Sequence, residues 1–278
     1  MKMNLIFEDN HPRGSFRDEF KVFFSYFSFN EPPLYRSIIN EDHLRSRVIL
    51  YNNHTFIGED PRPFVLKGKR YILSQRFVNT MKDVQNYVVN VDTGEAKQYI
   101  VDEPDFFYGK NWTPFVYQEK LWIIHRFDPF TLLCDGKVVM QLETNLPVEP
   151  GGKFTCHRGG SNGLEVEPGV IFGIGHRTVH GTPDNTIHKP YAWLIDFNSM
   201  ELYLYDIPDF QAKSKIVDPT SMWMESDKIY VSTYEGDDIW NREHKQYYIR
   251  IYTIDYKNLK KTIDEVGQKF KLSYANNI

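Results

Sequence analysis

Cysteine is scarce in this sequence: Cys134 and Cys156 are the two found among 278 residues. One pair does not make a disulfide framework, so the expected setting is a reducing one, the cytoplasm. Long apolar runs are missing as well. The opening stretch, "MKMNLIFEDNHPRG", carries Leu5-Ile6-Phe7 before acids and proline arrive, which is too short for the apolar core of a signal peptide. No later segment approaches a membrane span. Basic charge is not in excess either. The 33 Lys and Arg stand against 37 Asp and Glu, a formal net charge of −4. General nucleic-acid and membrane-surface binders usually carry a basic excess, so neither is expected here.

Aromatic rings, by contrast, are abundant: 15% of the chain, with 18 Tyr and 20 Phe. At 41% hydrophobic and 25% charged, the chain reads as globular. Rings suit strand packing and stacking on sugar faces alike, and composition leaves both readings open.

Four segments share one layout. They are "EDPRPFVLKGKRYILSQRF" from Glu59, "KNWTPFVYQEKLWIIHRFDP" from Lys110, "RGGSNGLEVEPGVIFGIGHR" from Arg158 and "DPTSMWMESDKIYVSTYEGDD" from Asp218. Each opens on polar residues, runs through a short apolar strand, turns, and returns along an apolar-aromatic strand that ends on polar groups. Their starts lie about 50 to 60 residues apart, a period typical of propeller blades. Further hairpins fall between them, with turns at Thr93-Gly94, Asp135-Gly136 and Asn198-Ser199. Two hairpins per repeat make four strands, which is one blade. The N-terminal stretches "FKVFFSYFSF" and "SRVILYNN" supply a further blade. The expected fold is therefore all-β: a five-bladed β-propeller of four-stranded antiparallel blades around a central channel, with residues 1–278 as one domain. Residues 257–271 are compatible with a short helix or with a last strand and tail.

In such a fold the innermost strands start around one channel, so residues at the repeat starts converge although far apart in sequence. That set is Glu59, Asp60 and Arg62, then Lys110 and Asn111, then Arg158, then Asp218. The returning strands bring Arg76, Arg126, His176, Arg177 and Asp237 toward the same end. A pocket with few carboxylates among many cations suits an anionic leaving group or co-substrate, with one carboxyl to move a proton. Phosphate and a nucleotide diphosphate are the candidates. Trp112, beside Lys110-Asn111, is the candidate sugar platform; the other tryptophans read as blade packing.

Other chemistries find weaker footing. Cys156-His157 lacks the spacing of a zinc site, and His176 and His180 lie in a strand context, so no metal is expected. "GIGHR" and "GGSNG" lack the strand-to-helix setting of a phosphate-cradling loop. No serine nucleophile elbow occurs.

The ordered motifs "EDPRPF…GKRYILSQ", "KNWTPFVYQEKLWIIHRFDP", "RGGSNGLEV…FGIGHR" and "DPTSMWMESDKIYVSTYEGDD" resemble successive blades of the five-bladed propeller carbohydrate enzymes around glycoside hydrolase family 130. That branch includes β-mannoside phosphorylases and hydrolases and related propeller mannosyltransferases. The resemblance spans residues 55–240. It implies that Asp60, the aspartate of "EDPR", is the proton-transferring group. It also implies that Arg126, Arg158 and His176 hold phosphate, with Lys110 and Asn111 nearby. The chain has "KNW" where phosphorylases tend to carry "KD", and "GHR" where they tend to carry "YHG". Both departures fall where phosphate or nucleotide would be met. The Tyr-, Phe-, Lys- and Asn-rich style also resembles glycan-building proteins of chloroviruses, which implies a xylosyltransferase working in the host cytoplasm.

Three functions follow as expectations. The first is an inverting glycosyltransferase with a UDP- or GDP-linked sugar donor and a glycan or glycoside acceptor. Asp60 is its base, and Arg62, Lys110, Arg126, Arg158 and His176 neutralise the diphosphate, so that no cofactor is required. The second is an inverting glycoside phosphorylase using inorganic phosphate, or a hydrolase, with Asp60 as general acid. A hydrolase needs a second carboxylate, for which Asp128, Asp218, Asp237 and Asp238 are candidates. The third is a non-catalytic glycan-binding propeller.

Overall fold

Short apolar and aromatic strands, broken by tight turns, fold most of the described residues into hairpins. The structure, a computed structural model, describes residues 4–12, 20–24, 36–40, 47–51, 54–77, 84–103, 109–147, 157–180, 186–207, 214–225, 228–236 and 246–275. Several turns place both central residues at positive φ, the twist that matches paired strands. Lys67 (φ 50°) and Gly68 (φ 72°) do so, as do Asp135 (φ 49°) and Gly136 (φ 84°).

The strands form antiparallel sheets. One contains β1 (Asn4–Pro12), and another contains β2 (Phe20–Phe24), β3 (Arg36–Asn40), β4 (Arg47–Tyr51) and β5 (His54–Ile57). The next consists of β6 (Glu59–Leu66), β7 (Lys69–Phe77), β8 (Val84–Asn90) and β9 (Ala96–Gln98), in that order. It is followed by β10 (Thr113–Tyr117), β11 (Lys120–Phe127), β12 (Phe130–Cys134) and β13 (Lys137–Leu142). A larger sheet holds β14 (His157–Arg158), β15 (Leu164–Glu167), β16 (Val170–His180), β17 (Thr186–Asp196) and β18 (Glu201–Asp206). The first sheet is completed by β19 (Ile216–Glu225), β20 (Lys228–Gly236) and β21 (Gln246–Asp255), the last pairing with β1.

The innermost strands close a ring in which β6 neighbours β10, β10 neighbours β15, β15 neighbours β19, and β19 neighbours β6. This is a β-propeller. The five blades expected from the sequence are four, because the ring passes directly from β19 to β6 and the β2–β5 sheet meets β6 through β4. Local pattern reveals hairpins, but the number of sheets around the axis is set by how innermost strands pack. One blade also departs from four strands. Its innermost strand is split into β14 and β15, which both pair with β16, and β22 (Gln268–Lys271) extends its outer edge through β18.

Between β21 and β22 lies α1 (Tyr256–Val266), which settles the alternatives for residues 257–271 as a helix followed by a strand. Asp255 caps it, its side chain accepting from the Asn258 N–H at 3.2 Å. Tyr256, Leu259 and Ile263 form its buried face.

Aromatic packing joins neighbouring blades. Phe115, Trp122 and Phe127 of one blade meet Tyr191 and Trp193 of the next in one buried cluster. Trp193 lies so close to β16 that a Cβ at Gly173 would stand 2.1 Å from its ring. Gly173→Ala, whose Cβ would meet a rigid indole, is expected to cost about 3 kcal/mol through overpacking. Gly68→Ala, in an open turn, should cost about 1 kcal/mol through its positive φ alone. Urea midpoints compare the two, and equal midpoints would contradict the packing account.

Candidate functional site

At the start of β6 the register slips between Glu59 and Arg62, leaving Asp60 and Pro61 opposite Ser74 alone. The bulge puts Asp60 at φ 50°, a left-handed conformation that Asp tolerates better than most residues. Its side chain is exposed, and the Gln75 amide donates to its Oδ2. The acid-proline run at the start of β6 is thus the bulge that turns one carboxylate outward.

Arg62, two residues on, is 6% exposed. Its Nε donates to the Gly160 carbonyl at 2.5 Å, one Nη to the Asp60 carbonyl at 3.0 Å, and the other to Asn111 Oδ1 at 3.4 Å. Burial lowers its pKa, against the pull of Asp60 and Asp218. Arg62 therefore ties the starts of three blades together. Gly159 and Gly160 make the approach possible. A Cβ at Gly159 would fall 1.9 Å from the Asn111 carbonyl oxygen, and one at Gly160 would fall 2.6 Å from that of Ile174. Close packing explains the glycines of "RGGSNG", where no phosphate loop was expected. Asn111 itself sits at φ 62°.

Asp60, Pro61, Arg62 and Asn111 line a cavity of about 190 Å³ together with Lys110, Arg158, His176, His188, Asp218, Pro219 and Thr220. Three cationic side chains, Arg62, Lys110 and Arg158, face two carboxylates, Asp60 and Asp218. His176 (β16) and His188 (β17) are both buried, and their rings stack 4.7 Å apart at 24°. Asp218 Oδ1 lies 2.6 Å from His188 Nδ1 and 3.8 Å from His176 Nδ1. Burial works against the Asp218 charge, but His188, His176 and Arg62 overcome it and hold its pKa at about 2. Burial pushes the His176 imidazole down to about 3, with Asp218 opposing, so His176 is neutral at pH 7. The two histidines and Asp218 are also the group whose donor atoms come close enough to hold a metal ion among the described residues.

The pocket thus brings together Asp60, Arg62, Lys110, Asn111, Arg158, His176 and Asp218. The other sequence candidates lie elsewhere. Arg76 stacks over the Tyr87 ring at 3.8 Å. Arg126 donates to His125 Nδ1 at 3.1 Å, and Arg177 pairs with Asp206 at 2.6 Å. Trp112, the expected sugar platform, is 1% exposed and packed against His125, so it has no face to offer a ligand. Asp128 is engaged by Thr144. The Glu59 backbone pairs with Gln75, while its side chain, Asp237 and Asp238 lie outside the described residues. His188 and Thr220 went unpredicted. Only the pairing of β16 with β17 reveals His188, by setting it opposite Thr178, two residues from His176.

No protein-family description matches the sequence, and no curated protein matches it. Solved structures do resemble it. A hypothetical protein from Leishmania major is similar at TM-score 0.52, with 15% identity over 87% of each chain. MPT-1, a GDP-Man-dependent mannosyltransferase from Leishmania mexicana, is similar at TM-score 0.51, with 10% identity over 81% of each chain. At these identities the likeness concerns the fold.

Acid stability tests two of the buried histidines, His176 and His157 of β14. Unfolded, each takes up a proton near the usual value of about 6.5, whereas folded His176 resists to about 3 and folded His157 to about 4. Both folded values are depressed, so the unfolded chain binds more protons and stability falls as pH drops from 6.5 to 4. Each contributes a slope of about 1.4 kcal/mol per pH unit. Asp218 adds a loss below its ordinary value of 3.8, toward about 2. The expected outcome is a melting midpoint that falls steeply across pH 6.5 to 4, and less steeply in His157→Gln; identical slopes would refute it. Arg62→Lys, which cannot fork to three acceptors, should lower stability by about 2 kcal/mol or more in urea titrations.

Proposed function

We propose that the protein is an inverting glycosyltransferase that draws its sugar from a nucleotide-diphosphate donor. The observation that carries this reading is Asp60: an exposed carboxylate turned out by a bulge beside a pocket that Arg62, Lys110 and Arg158 make cationic. In one displacement, an acceptor hydroxyl attacks the anomeric carbon as the bond from that carbon to the diphosphate oxygen breaks. Asp60 takes the hydroxyl proton, and the configuration inverts. Lys110 and Arg158 offset the charge growing on the leaving diphosphate, and Arg62 adds a fixed positive charge behind them. Asn111 and Thr220 supply hydrogen-bonding groups at the same rim.

The cavity, about 190 Å³, is smaller than the roughly 300–1,000 Å³ of ordinary ligand clefts. It suits the reacting centre, a sugar ring with its phosphate, and leaves the nucleoside outside it. The fold likeness to a GDP-Man-dependent enzyme makes GDP-mannose the first donor to test. UDP-xylose is the second, because the sequence resemblance implied a xylosyltransferase with a UDP- or GDP-linked donor.

The same small volume also favours a second reading, phosphorolysis. Inorganic phosphate would then occupy the diphosphate position, and Asp60 would give its proton to the leaving sugar. Hydrolysis is less well served. Among the described lining residues the other carboxylate is Asp218, already engaged by His188.

Thermal shift with GDP-mannose, UDP-xylose, free nucleotides and phosphate reads binding directly. Glycosyl transfer to an acceptor panel reads the reaction. Asp60→Asn is expected to lower kcat by about 10²–10⁴-fold while keeping the donor's thermal shift. Arg158→Ala should raise the donor KM about tenfold, a loss of about 1.4 kcal/mol. Unchanged turnover in Asp60→Asn would refute its role as base. Sugar 1-phosphate formed only when phosphate is present would select the second reading.

A further inference from the structure

We propose that His176, His188 and Asp218 form a binding site for a divalent transition-metal ion of the zinc class. The three come from β16, β17 and β19, so they are assembled by two blades rather than by one local motif. Their donor atoms all lie within 4.8 Å of one another. His188 Nδ1 and His176 Nδ1 lie 2.6 and 3.8 Å from Asp218 Oδ1. Ligands each about 2.0–2.2 Å from one ion stand about 3–4 Å apart, so small side-chain rotations convert this cluster into a coordination set.

An independent observation points the same way. His176 is 5% exposed, and its Nδ1 is buried with no hydrogen-bond partner. A buried polar nitrogen is ordinarily satisfied by something, and this one belongs to the group converging on Asp218. Two imidazoles and one carboxylate suit zinc, cobalt, nickel or ferrous iron, whereas magnesium and calcium prefer oxygen donors. Three protein ligands leave at least one position for an exogenous group, as in metal sites that bind substrate or water. All three residues line the central pocket, so the open position is reached from it. One carboxylate leaves the ion with net positive charge, which favours an anion as the added ligand. The binding of metal does not depend on glycosyl transfer.

Chelator-treated protein titrated with Zn2+ in a calorimeter, and with Co2+ by visible absorption, tests the site without any activity assay. The expected result is one equivalent bound, a raised melting midpoint with Zn2+, and little response to Mg2+. His176→Ala and His188→Ala should each weaken Zn2+ affinity at least tenfold. Asp218→Asn, which nearly preserves shape, should do the same and keeps the test decisive if the alanine variants fold poorly. Zn2+ affinity unchanged in Asp218→Asn and in a folded histidine variant would overturn the proposal, as would equal thermal shifts from Mg2+ and Zn2+.

Discussion

The buried guanidinium of Arg62 is the contact on which the pocket depends. It rises from β6 just past the bulge, reaches across to Gly160 in the link between β14 and β15, and meets Asn111 at the entrance to β10. Three blades therefore share one planar group with fixed donor directions, which sets their spacing at the channel more rigidly than apolar packing alone. A cation so deeply buried needs its partners, and two of the three are oxygens of neighbouring blades. The backbone must come close to supply them. That requirement explains the paired glycines at 159–160, where any side chain would strike the Asn111 or Ile174 carbonyl.

With the floor held by Arg62, the chemistry divides into two sides. On one, the bulge presents Asp60 to solvent with a Gln75 amide beside it. On the other, Asp218 stays ionised despite burial because the hydrogen bond from His188 and the positive charge of Arg62 support its carboxylate. The two carboxylates are thus distinguished by environment rather than by residue type. Asp60 is open to an incoming group, and Asp218 is bound up with imidazoles. This asymmetry underlies both proposals, a proton-accepting group on the first side and a cation-binding cluster on the second.

Much of the fold was legible in the sequence because hairpins are local. Asp135-Gly136 turns as its residue types favour, with positive φ at both positions, and Gly68 serves the Lys67-Gly68 turn in the same way. The candidate site was also partly legible, because repeat starts converge on a propeller axis and need no distance information to be grouped. Residues at the ends of returning strands were less predictable. Arg76, Arg126 and Arg177 stand at comparable positions in their repeats, yet each is drawn to a local partner: Tyr87, His125 and Asp206. A long side chain can reach in several directions, and its neighbours choose among them. Trp112 follows the same logic, since burying its ring against His125 and Tyr99 outweighs leaving it open.

The sequence by itself determined the strands, most turns, the propeller class and the convergence of Asp60, Arg62, Lys110, Asn111, Arg158, His176 and Asp218, all of which follow from periodicity and repetition. The tertiary structure decided that four blades rather than five surround the axis, because closure depends on which innermost strands touch. It also decided that Arg62 is a brace, and that His188 joins His176 and Asp218. Those outcomes depend on strand register and on contacts between residues as much as 98 positions apart, for which no local pattern in the chain carries a signal.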